Sequence, residues 1–434
     1  MRSAEERANV WLCSWQQTQE RQTINMTYDF DEIIDRRHTN AMNTDGFRGY
    51  IFHAGPEMRF PYADEEFVRM WVADMEFATA PEVCQALRER VDRRIFGYSA
   101  VFGSEYYDAF SAWCRNRYDW SFPGEQLVFT PGIIPALYEL VGDLAAPDEK
   151  ILITTPSYGY FEHAAEFNGR QLVTSPLKNN GGSFSIDFED FERRAADPKV
   201  KLVIWCNPHN PIGRMWTEEE TARVCETARR HGLWLISDEI HCDLIRSGRR
   251  HIPTAVVEPD YDRLITCMSA SKTFNLAGLM FSNVIVRDPQ VRSMMAAHDK
   301  LFGCVNPLSV AAMQAAYEKG GAWLEQLKAY LDGNFRFTAD FLRAQLPGSV
   351  CRVPEATYLA WVDMNGCLPD VDDLPMFFAN EAGVLLEGGD ALFVGNAKGF
   401  VRLNLAMPRA VIRRGLERMR DAVARHNNGR LPRA

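Results

Sequence analysis

The sequence predicts an α/β protein in which a large, mostly parallel sheet is followed by a smaller α+β domain. Short apolar runs alternate with amphipathic segments up to about residue 305, and this alternation is typical of parallel strands covered by helices on both faces. From about residue 306 the pattern changes to long helices with two strands, at 358–363 and 400–405. The chain of 434 residues, 46% hydrophobic and 24% charged, is long enough for two to three domains of ordinary globular composition.

The first strong element is a helix that begins near Pro81, because Thr79 suits the N-cap and proline suits the first turn. Thr217 and Glu220 form a capping box for a helix over 217–231, which Gly232 ends. Strands are predicted at six short apolar runs: 127–129, 151–154, 202–206, 233–237, 264–268 and 283–286. Helical stretches separate several of these runs, as a doubly covered sheet requires.

Charge and hydropathy exclude two classes of partner. The 48 Lys and Arg residues are outnumbered by 58 Asp and Glu, so a chain with a formal net charge of -10 is not expected to bind nucleic acid. No apolar stretch approaches the roughly 18 residues of a membrane-spanning helix, so no membrane association is expected. The ten cysteines are scattered without a C-x-x-C motif, which indicates reduced thiols, no metal site and a cytoplasmic location.

The common phosphate-binding and nucleophile motifs are absent. The chain has no G-x-G-x-x-G, no G-x-x-x-x-G-K, no G-x-S-x-G and no H-E-x-x-H. One formal match exists, to the S-x-x-K of serine acyl enzymes, at residues 269–272. Those enzymes also need later S-D-N and K-T-G motifs, and here Lys272-Thr273 is followed by Phe274, so a serine hydrolase is a distant alternative.

Polar residues follow four of the predicted strands, where the ligands of α/β proteins collect. The segment 130–134 opens a helix, so its free amides suit an anionic phosphate, and the polar segment 207–213 follows another strand. Asp238 ends a strand of hydrophobic residues, where a carboxylate requires a cationic partner, and Lys272 stands at the next strand end. An amine opposite a carboxylate, with amides and serine hydroxyls for a phosphate, is what a pyridoxal phosphate site requires.

Six segments in this order resemble a known family. They are WVADMEF at 71–77, FGYS at 96–99, CNPHNPIGR at 206–214, SDEIH at 237–241, SASKTFNL at 269–276 and FVRLN at 400–404. On these segments the chain resembles the fold-type I pyridoxal phosphate enzymes of the aminotransferase class I/II superfamily. Within it the likeness is to the MalY/PatB-type cystathionine β-lyases, also called cysteine-S-conjugate β-lyases, and it runs from about Met26 to the C-terminus.

The resemblance implies four regions along the chain. Residues 1–25 form an N-terminal extension, and residues 26–70 form an N-terminal arm and part of the small domain. Residues 71–305 form the large domain that binds pyridoxal phosphate, and residues 306–434 form the C-terminal small domain.

The resemblance also implies roles for single residues. Lys272 would bind the cofactor covalently and act as the catalytic base, Asp238 would pair with the pyridine nitrogen, and Arg402 would hold the substrate carboxylate. The other implied cofactor-binding residues are Ile133, Ile134, Tyr158, Asn210, His241, Ser269, Ser271 and, from the neighbouring subunit, Tyr98. A homodimer with its active site at the subunit interface is therefore expected.

Several of these residues have an ordinary structural alternative. Arg402 could form an ion pair within the protein, Tyr158 could be a packed aromatic and His241 a hydrogen-bonded structural histidine. His209 and Asp74 lie in family motifs but are expected to be structural.

The implied reaction is carbon–sulfur β-elimination from L-cystathionine or a related cysteine S-conjugate, with a thiol, pyruvate and ammonia as products. An aminotransferase acting on an amino acid and a keto acid is the principal alternative, because both reactions begin with removal of the Cα proton. A ligand-sensing regulator with this fold would need a DNA-binding module, and residues 1–25 are too short for one.

The chain departs from the family pattern near its N-terminus. Asn43-Thr44-Asp45 stands where many relatives resemble Lys-Trp-Asp, and the segment 46–69 looks longer than usual. Glu76 replaces a more usual Asp, a change interpreted as minor. Because the N-terminal arm approaches the active site in this family, these departures bear on substrate preference.

Overall fold

The computed structural model describes residues 27–302 and 304–428, and a seven-stranded sheet forms its centre. The strands are β1 (Leu127–Thr130), β2 (Lys150–Thr155), β3 (Gln171–Pro176), β4 (Val200–Cys206), β5 (Trp234–Asp238), β6 (Leu264–Met268) and β7 (Ser282–Val286). Their spatial order is β1-β7-β6-β5-β4-β2-β3; β7 is antiparallel to both neighbours and the other pairs are parallel. The predicted α/β class with a mixed, mostly parallel sheet is confirmed, and β3 is a strand that the apolar runs did not predict.

The helices of the described residues fall into two groups, since some cover both faces of this sheet and others pack against the smaller unit. They are α1 (Met42–Asp45), α2 (Phe47–Phe52), α3 (Pro81–Asp92), α4 (Glu105–Tyr118), α5 (Ile133–Leu144), α6 (Tyr160–Phe167), α7 (Phe188–Ala195), α8 (Glu218–His231), α9 (Thr254–Val257), α10 (Ala270–Thr273), α11 (Pro289–Phe302), α12 (Pro307–Lys319), α13 (Gly321–Gln345), α14 (Leu374–Ala382), α15 (Gly389–Leu392) and α16 (Arg409–Asn428). Because side chains alternate along a strand, Ile151 and Ile153 of β2 enter one core and Leu152 enters the other. Burial on both faces explains why these strands are continuous apolar runs.

Helix α8 begins and ends where its sequence predicts. The Thr217 hydroxyl accepts a hydrogen bond from the Glu220 amide (3.1 Å), and the Glu220 carboxylate accepts one from the Thr217 amide (2.9 Å). Gly232 closes the helix in the left-handed conformation, with φ of 65°. The chain then enters β5, which ends at Asp238.

A second, smaller unit is built on a four-stranded antiparallel sheet. Its strands are β8 (Val350–Cys351), β9 (Leu359–Asp363), β10 (Glu387–Gly388) and β11 (Phe400–Asn404), in the order β8-β9-β11-β10. The N-terminal arm joins this unit, because the short strand Val68–Arg69 pairs in parallel with Val384–Leu385. Two further short ladders join Ser157–Tyr158 to Phe393–Val394 and Lys178–Asn180 to Ser183–Ser185.

The core of the large unit extends past residue 306, the boundary expected from the sequence. Ala312 of α12 and Trp323 of α13 pack in the same cluster as the large sheet, whereas Phe335, further along α13, packs in the core of the smaller unit. Helix α13 therefore belongs to both units.

The expected N-terminal extension, residues 1–25, lies outside the described residues. Within the described ranges, no helix is both long and apolar enough to cross a membrane. The nine cysteines in those ranges are all free thiols.

Candidate active site

A cavity of about 200 Å³ lies at the carboxyl ends of the parallel strands. Strand β5 ends at Asp238, β6 is followed by Lys272, and β1 is followed by the first turn of α5, so the topology gathers distant segments at one edge of the sheet. Nine of the eleven site residues implied by the sequence line this cavity: Ile133, Ile134, Tyr158, Asn210, Asp238, His241, Ser271, Lys272 and Arg402. Ser269 and Tyr98 lie elsewhere.

The Asp238 carboxylate is buried with little hydrogen bonding. Its Oδ1 accepts a hydrogen bond from the Ile240 amide (3.1 Å). Among the described residues, this is the one hydrogen bond that the Asp238 side chain makes. Burial raises the pKa of Asp238 to about 7; the charge of Glu239 adds to the rise and that of Lys272 opposes it. A carboxylate in this environment is stabilised by a cationic ligand.

Lys272, in the short helix α10, also lines the cavity. Its Nζ donates to the carbonyl oxygen of Ala73 (2.7 Å), which also accepts a hydrogen bond from the Tyr358 hydroxyl (2.7 Å). Burial lowers the pKa of Lys272, although the carboxylates around it, Asp74 first among them, act in the opposite direction. The amine is therefore held in place by the segment that precedes α3.

Backbone amides and one hydroxyl form the end of the cavity that suits an anion. Ile133 and Ile134 open α5, and amides in the first turn of a helix have no carbonyl partner within it. Ser271 also lines the cavity, whereas the Ser269 hydroxyl accepts a hydrogen bond from the Ser271 amide (3.1 Å) and donates one to the Phe281 carbonyl (2.9 Å). Ser269 thus caps α10 and sets the position of Ser271.

The loop that carries Asn210 is held by a tight turn. The His209 amide donates to the Arg214 carbonyl (2.8 Å), and the Gly213 amide donates to the His209 carbonyl (2.7 Å). Gly213 has φ of 66°, and a Cβ atom there would lie 2.4 Å from the Cβ of Pro354. Glycine is therefore required where this loop crosses the chain of the smaller unit.

The Arg402 guanidinium is buried and bound within the protein. Strands β10 and β11 place Glu387 directly opposite Arg402, and the two side chains form an ion pair. The Arg402 Nη1 also donates to Asn210 Oδ1 (3.2 Å), and its Nη2 donates to the Trp71 carbonyl (3.3 Å). Arg402 therefore forms the internal ion pair that was its structural alternative, and it also lines the cavity.

Aromatic and imidazole groups complete the wall. Tyr158 hydrogen-bonds Tyr50 of α2, and burial raises the pKa of both hydroxyls, so both are neutral. Burial, followed by the charges of Lys272 and Arg402, lowers the pKa of His241 to about 3, so its ring is uncharged near neutral pH. The wall therefore adds no further positive charge.

The N-terminal arm is fixed to the segment beside Lys272 by an ionic network. Arg36 donates to Asp74 (2.7 Å) and to Glu76 (2.8 Å), and Asn43 also donates to Glu76. Burial raises the pKa of Glu76, and Arg36 and Asn43 oppose that rise. Two of the departures from the family pattern, Asn43 and Glu76, therefore bind each other.

Two further residues lie outside the cavity of this chain. Tyr98 is 99% exposed. His209 is buried and its Nε2 is 2.8 Å from the Pro156 carbonyl oxygen, as expected of a structural histidine.

Three residues near the cavity were not implied by the sequence: Glu387, Tyr50 and Tyr358. Glu387 follows Val384, Leu385 and Leu386, and a carboxylate after an apolar run is the signal that identified Asp238. Tyr50 lies in the segment 46–69, but its approach to Tyr158 depends on how the arm folds back. No local pattern distinguishes Tyr358.

The side chains fit pyridoxal phosphate. Asp238 matches a protonated ring nitrogen, and the first turn of α5 matches a phosphate group. The buried Nδ1 of His241 and Nε of Arg402 have no hydrogen-bond partner among the described residues. Both belong to residues that line the cavity, so polar nitrogen atoms without a hydrogen-bond partner among the described residues remain for a ligand.

Comparison with known proteins finds one matching family and relatives that span most of the chain. The family model described as aminotransferase class I and II matches residues 65–419. Cystathionine beta-lyase PatB of Bacillus subtilis (strain 168) is 37% identical, over 82% of this chain and 92% of its own length. Protein MalY of Escherichia coli (strain K12) is 30% identical, over 91% of this chain and 99% of its own length. The crystal structure of a PLP-bound C-S lyase from Staphylococcus hominis is 49% identical with a TM-score of 0.87, and the match covers 92% of this chain and 98% of that one.

Proposed function

The chain belongs to the aminotransferase class I and II family, and from this premise we propose that it is a pyridoxal phosphate-dependent carbon–sulfur β-lyase. Its proposed substrates are L-cystathionine or related cysteine S-conjugates, which would yield a thiol, pyruvate and ammonia. The observation that carries the proposal is the convergence of Lys272, Asp238 and Arg402 on one cavity. The full-length likeness to a C-S lyase at 49% identity favours elimination over amino transfer.

Pyridoxal phosphate, when bound, supplies an electron sink for negative charge at the Cα of an amino acid. Asp238 would hold a proton at the ring nitrogen, because a buried carboxylate favours a neighbouring cation. Ser271 and the amides of Ile133 and Ile134 would bind the phosphate, and Asn210 would donate to the phenolic oxygen.

Lys272 is the group placed to move the proton of the substrate Cα. Burial lowers its pKa, so the neutral amine that can accept a proton forms closer to neutral pH. Arg402 would bind the substrate carboxylate and restrict the orientation of Cα. Loss of the Cα proton allows the thiolate to leave from Cβ, and hydrolysis of the released enamine yields pyruvate and ammonia.

The product separates the two candidate reactions. Purified holoenzyme is incubated with L-cystathionine or S-methyl-L-cysteine, with and without an added keto acid, and pyruvate and free thiol are measured. Pyruvate and thiol formed in equal amounts without a keto acid are the expected result, with no product from Lys272→Ala. Amino-acid conversion that occurs only with a keto acid would instead identify an aminotransferase.

A homodimer is part of this proposal. Three aromatic side chains within seven residues are exposed, Phe96 (55%), Tyr98 (99%) and Phe102 (93%). Exposed apolar side chains grouped in this way are typical of an interaction surface. In the assembly that the resemblance implies, this segment would cover a second subunit and Tyr98 would reach its phosphate.

A further inference from the structure

Glu387 lies beside the expected position of the substrate carboxylate, although the proposed reaction does not use it. Its side chain is 4% exposed and that of its ion-pair partner Arg402 is 2% exposed. In such a water-poor site the charges of a pair are not screened by solvent, so a third charged group alters the balance between them.

The hydrogen-bond donors of Arg402 show where a carboxylate could bind. Nη1 donates to Asn210, and Nη2 donates to Trp71 and contacts Glu387. Nε is buried without a partner among the described residues. A bidentate carboxylate needs two donors on one edge of the guanidinium, and the edge that carries Nε also carries Nη2, the nitrogen in contact with Glu387.

We propose that Glu387 competes with the substrate carboxylate for Arg402, and that the ligand binds when Glu387 takes up a proton from solvent. The inference rests on the proposed function, since it takes the ligand to be an amino acid whose carboxylate meets Arg402. Two carboxylates at one guanidinium repel each other, and protonation of Glu387 removes that repulsion and weakens its hold on Nη2.

The groups around Glu387 set the pH at which this occurs. Arg402 of β11 and Lys272 of α10 favour its charged form, whereas Tyr50 and Tyr158 are neutral. Burial outweighs the two cations and raises the pKa of Glu387 to about 7. Protonation is therefore accessible near neutral pH, and carboxylate binding would take up one proton per site at higher pH.

The test uses 3-(methylthio)propanoate, a carboxylate without the amine of S-methylcysteine, titrated calorimetrically into holoenzyme between pH 6 and 9. For the native protein we expect Kd to be constant below pH 7 and to rise about tenfold per pH unit above it, because each unit makes protonated Glu387 tenfold rarer. Heats measured in buffers of different ionisation enthalpy should show proton uptake above pH 7. Glu387→Gln should bind about tenfold more tightly than the native protein at pH 8, without proton uptake.

Two further variants separate the possible failures. Glu192→Gln removes a glutamate paired with Arg230 (2.8 Å) at the opposite edge of the sheet, and it should keep the native pH profile. Probe binding that is indifferent to Arg402→Ala would overturn the substrate-binding role of Arg402 in the proposed function. Probe binding that depends on Arg402 but is weaker in Glu387→Gln than in the native protein would overturn the competition by Glu387 and leave the role of Arg402 intact. The same conclusion would follow if binding to Glu387→Gln kept the native pH dependence. If Glu387→Gln does not fold, absence of proton uptake by the native protein decides against the proposal.

Discussion

Asp238 lines the cavity and Glu387 contacts Arg402, which lines it too; burial raises the pKa of each of these two carboxylates to about 7. They differ in their partners: Glu387 contacts the Arg402 guanidinium, whereas the Asp238 side chain accepts a hydrogen bond from the Ile240 amide. A carboxylate without a cation at this depth is costly to ionise. Asp238 is therefore the group whose charged form a cationic ring nitrogen would stabilise.

Asp238→Asn tests this difference. The amide keeps the shape of the side chain but removes its charge, so we expect kcat for β-elimination to fall by roughly 10²–10³-fold, the size of effect seen when one preorganised electrostatic group is removed. The measurement is steady-state pyruvate formation by protein whose cofactor content is matched by absorbance. Asp260→Asn, on the exposed surface, serves as the control and should retain native kcat. An unchanged kcat in Asp238→Asn would remove Asp238 from the mechanism.

At the scale of elements, the Asn210 loop depends on Gly213. Its φ is positive and a Cβ would meet Pro354, so Gly213→Ala should destabilise the protein by more than the roughly 1–2 kcal/mol of a left-handed alanine alone. Because the loop carries Asn210, we also expect weaker cofactor binding, measured by fluorescence titration of apoenzyme. Gly248→Ala is the matched control, since Gly248 has φ of +81° and a Cβ added there would have no atom within 4 Å. Equal losses in the two variants would show that the contact with Pro354 has no effect.

The capping box of α8 is expected to contribute to the stability of the protein and not to its activity. Thr217→Ala removes the hydrogen bond to the Glu220 amide, so we expect the free energy of unfolding to fall by about 1 kcal/mol, with unchanged kcat. Chemical denaturation measures the change. Ser104→Ala is the comparison, because Ser104 precedes α4 without capping an amide and its hydroxyl donates to Asp108. A loss in Thr217→Ala no larger than that in Ser104→Ala would argue against the cap.

At the scale of the whole molecule, the exposed Tyr98 predicts complementation between subunits. If each site takes Lys272 from one subunit and Tyr98 from the other, the inactive Lys272→Ala and the impaired Tyr98→Phe form one intact site in each mixed dimer. Random reassortment of equal amounts should restore about one quarter of native activity, because half of the dimers are mixed and each has one intact site. The assay is pyruvate formation after refolding the two variants together. Activity no higher than the mean of the separately refolded variants would place Tyr98 outside the partner's site.

Much of the fold and of the site could be predicted from local sequence. Burial on both faces makes the strands β2, β4, β5 and β6 apolar runs, and parallel strands place their carboxyl ends at one edge. That geometry is general, so polar residues after those runs, such as Asp238 and Lys272, could be assigned to one site before any contact was known.

The tertiary structure alone decided the contacts that depend on packing between distant segments. Glu387 meets Arg402 through the register of two strands, and Tyr50 meets Tyr158 because the arm folds back onto the smaller unit. Packing between distant segments also explains why the Ser269 hydroxyl donates to the Phe281 carbonyl and why α13 contributes to two cores. Local sequence determines which residues end a strand or cap a helix, because those preferences act over a few residues. Which side chains then share a buried site depends on long-range packing, and this is how Arg402 comes to be both a candidate substrate ligand and one half of an ion pair.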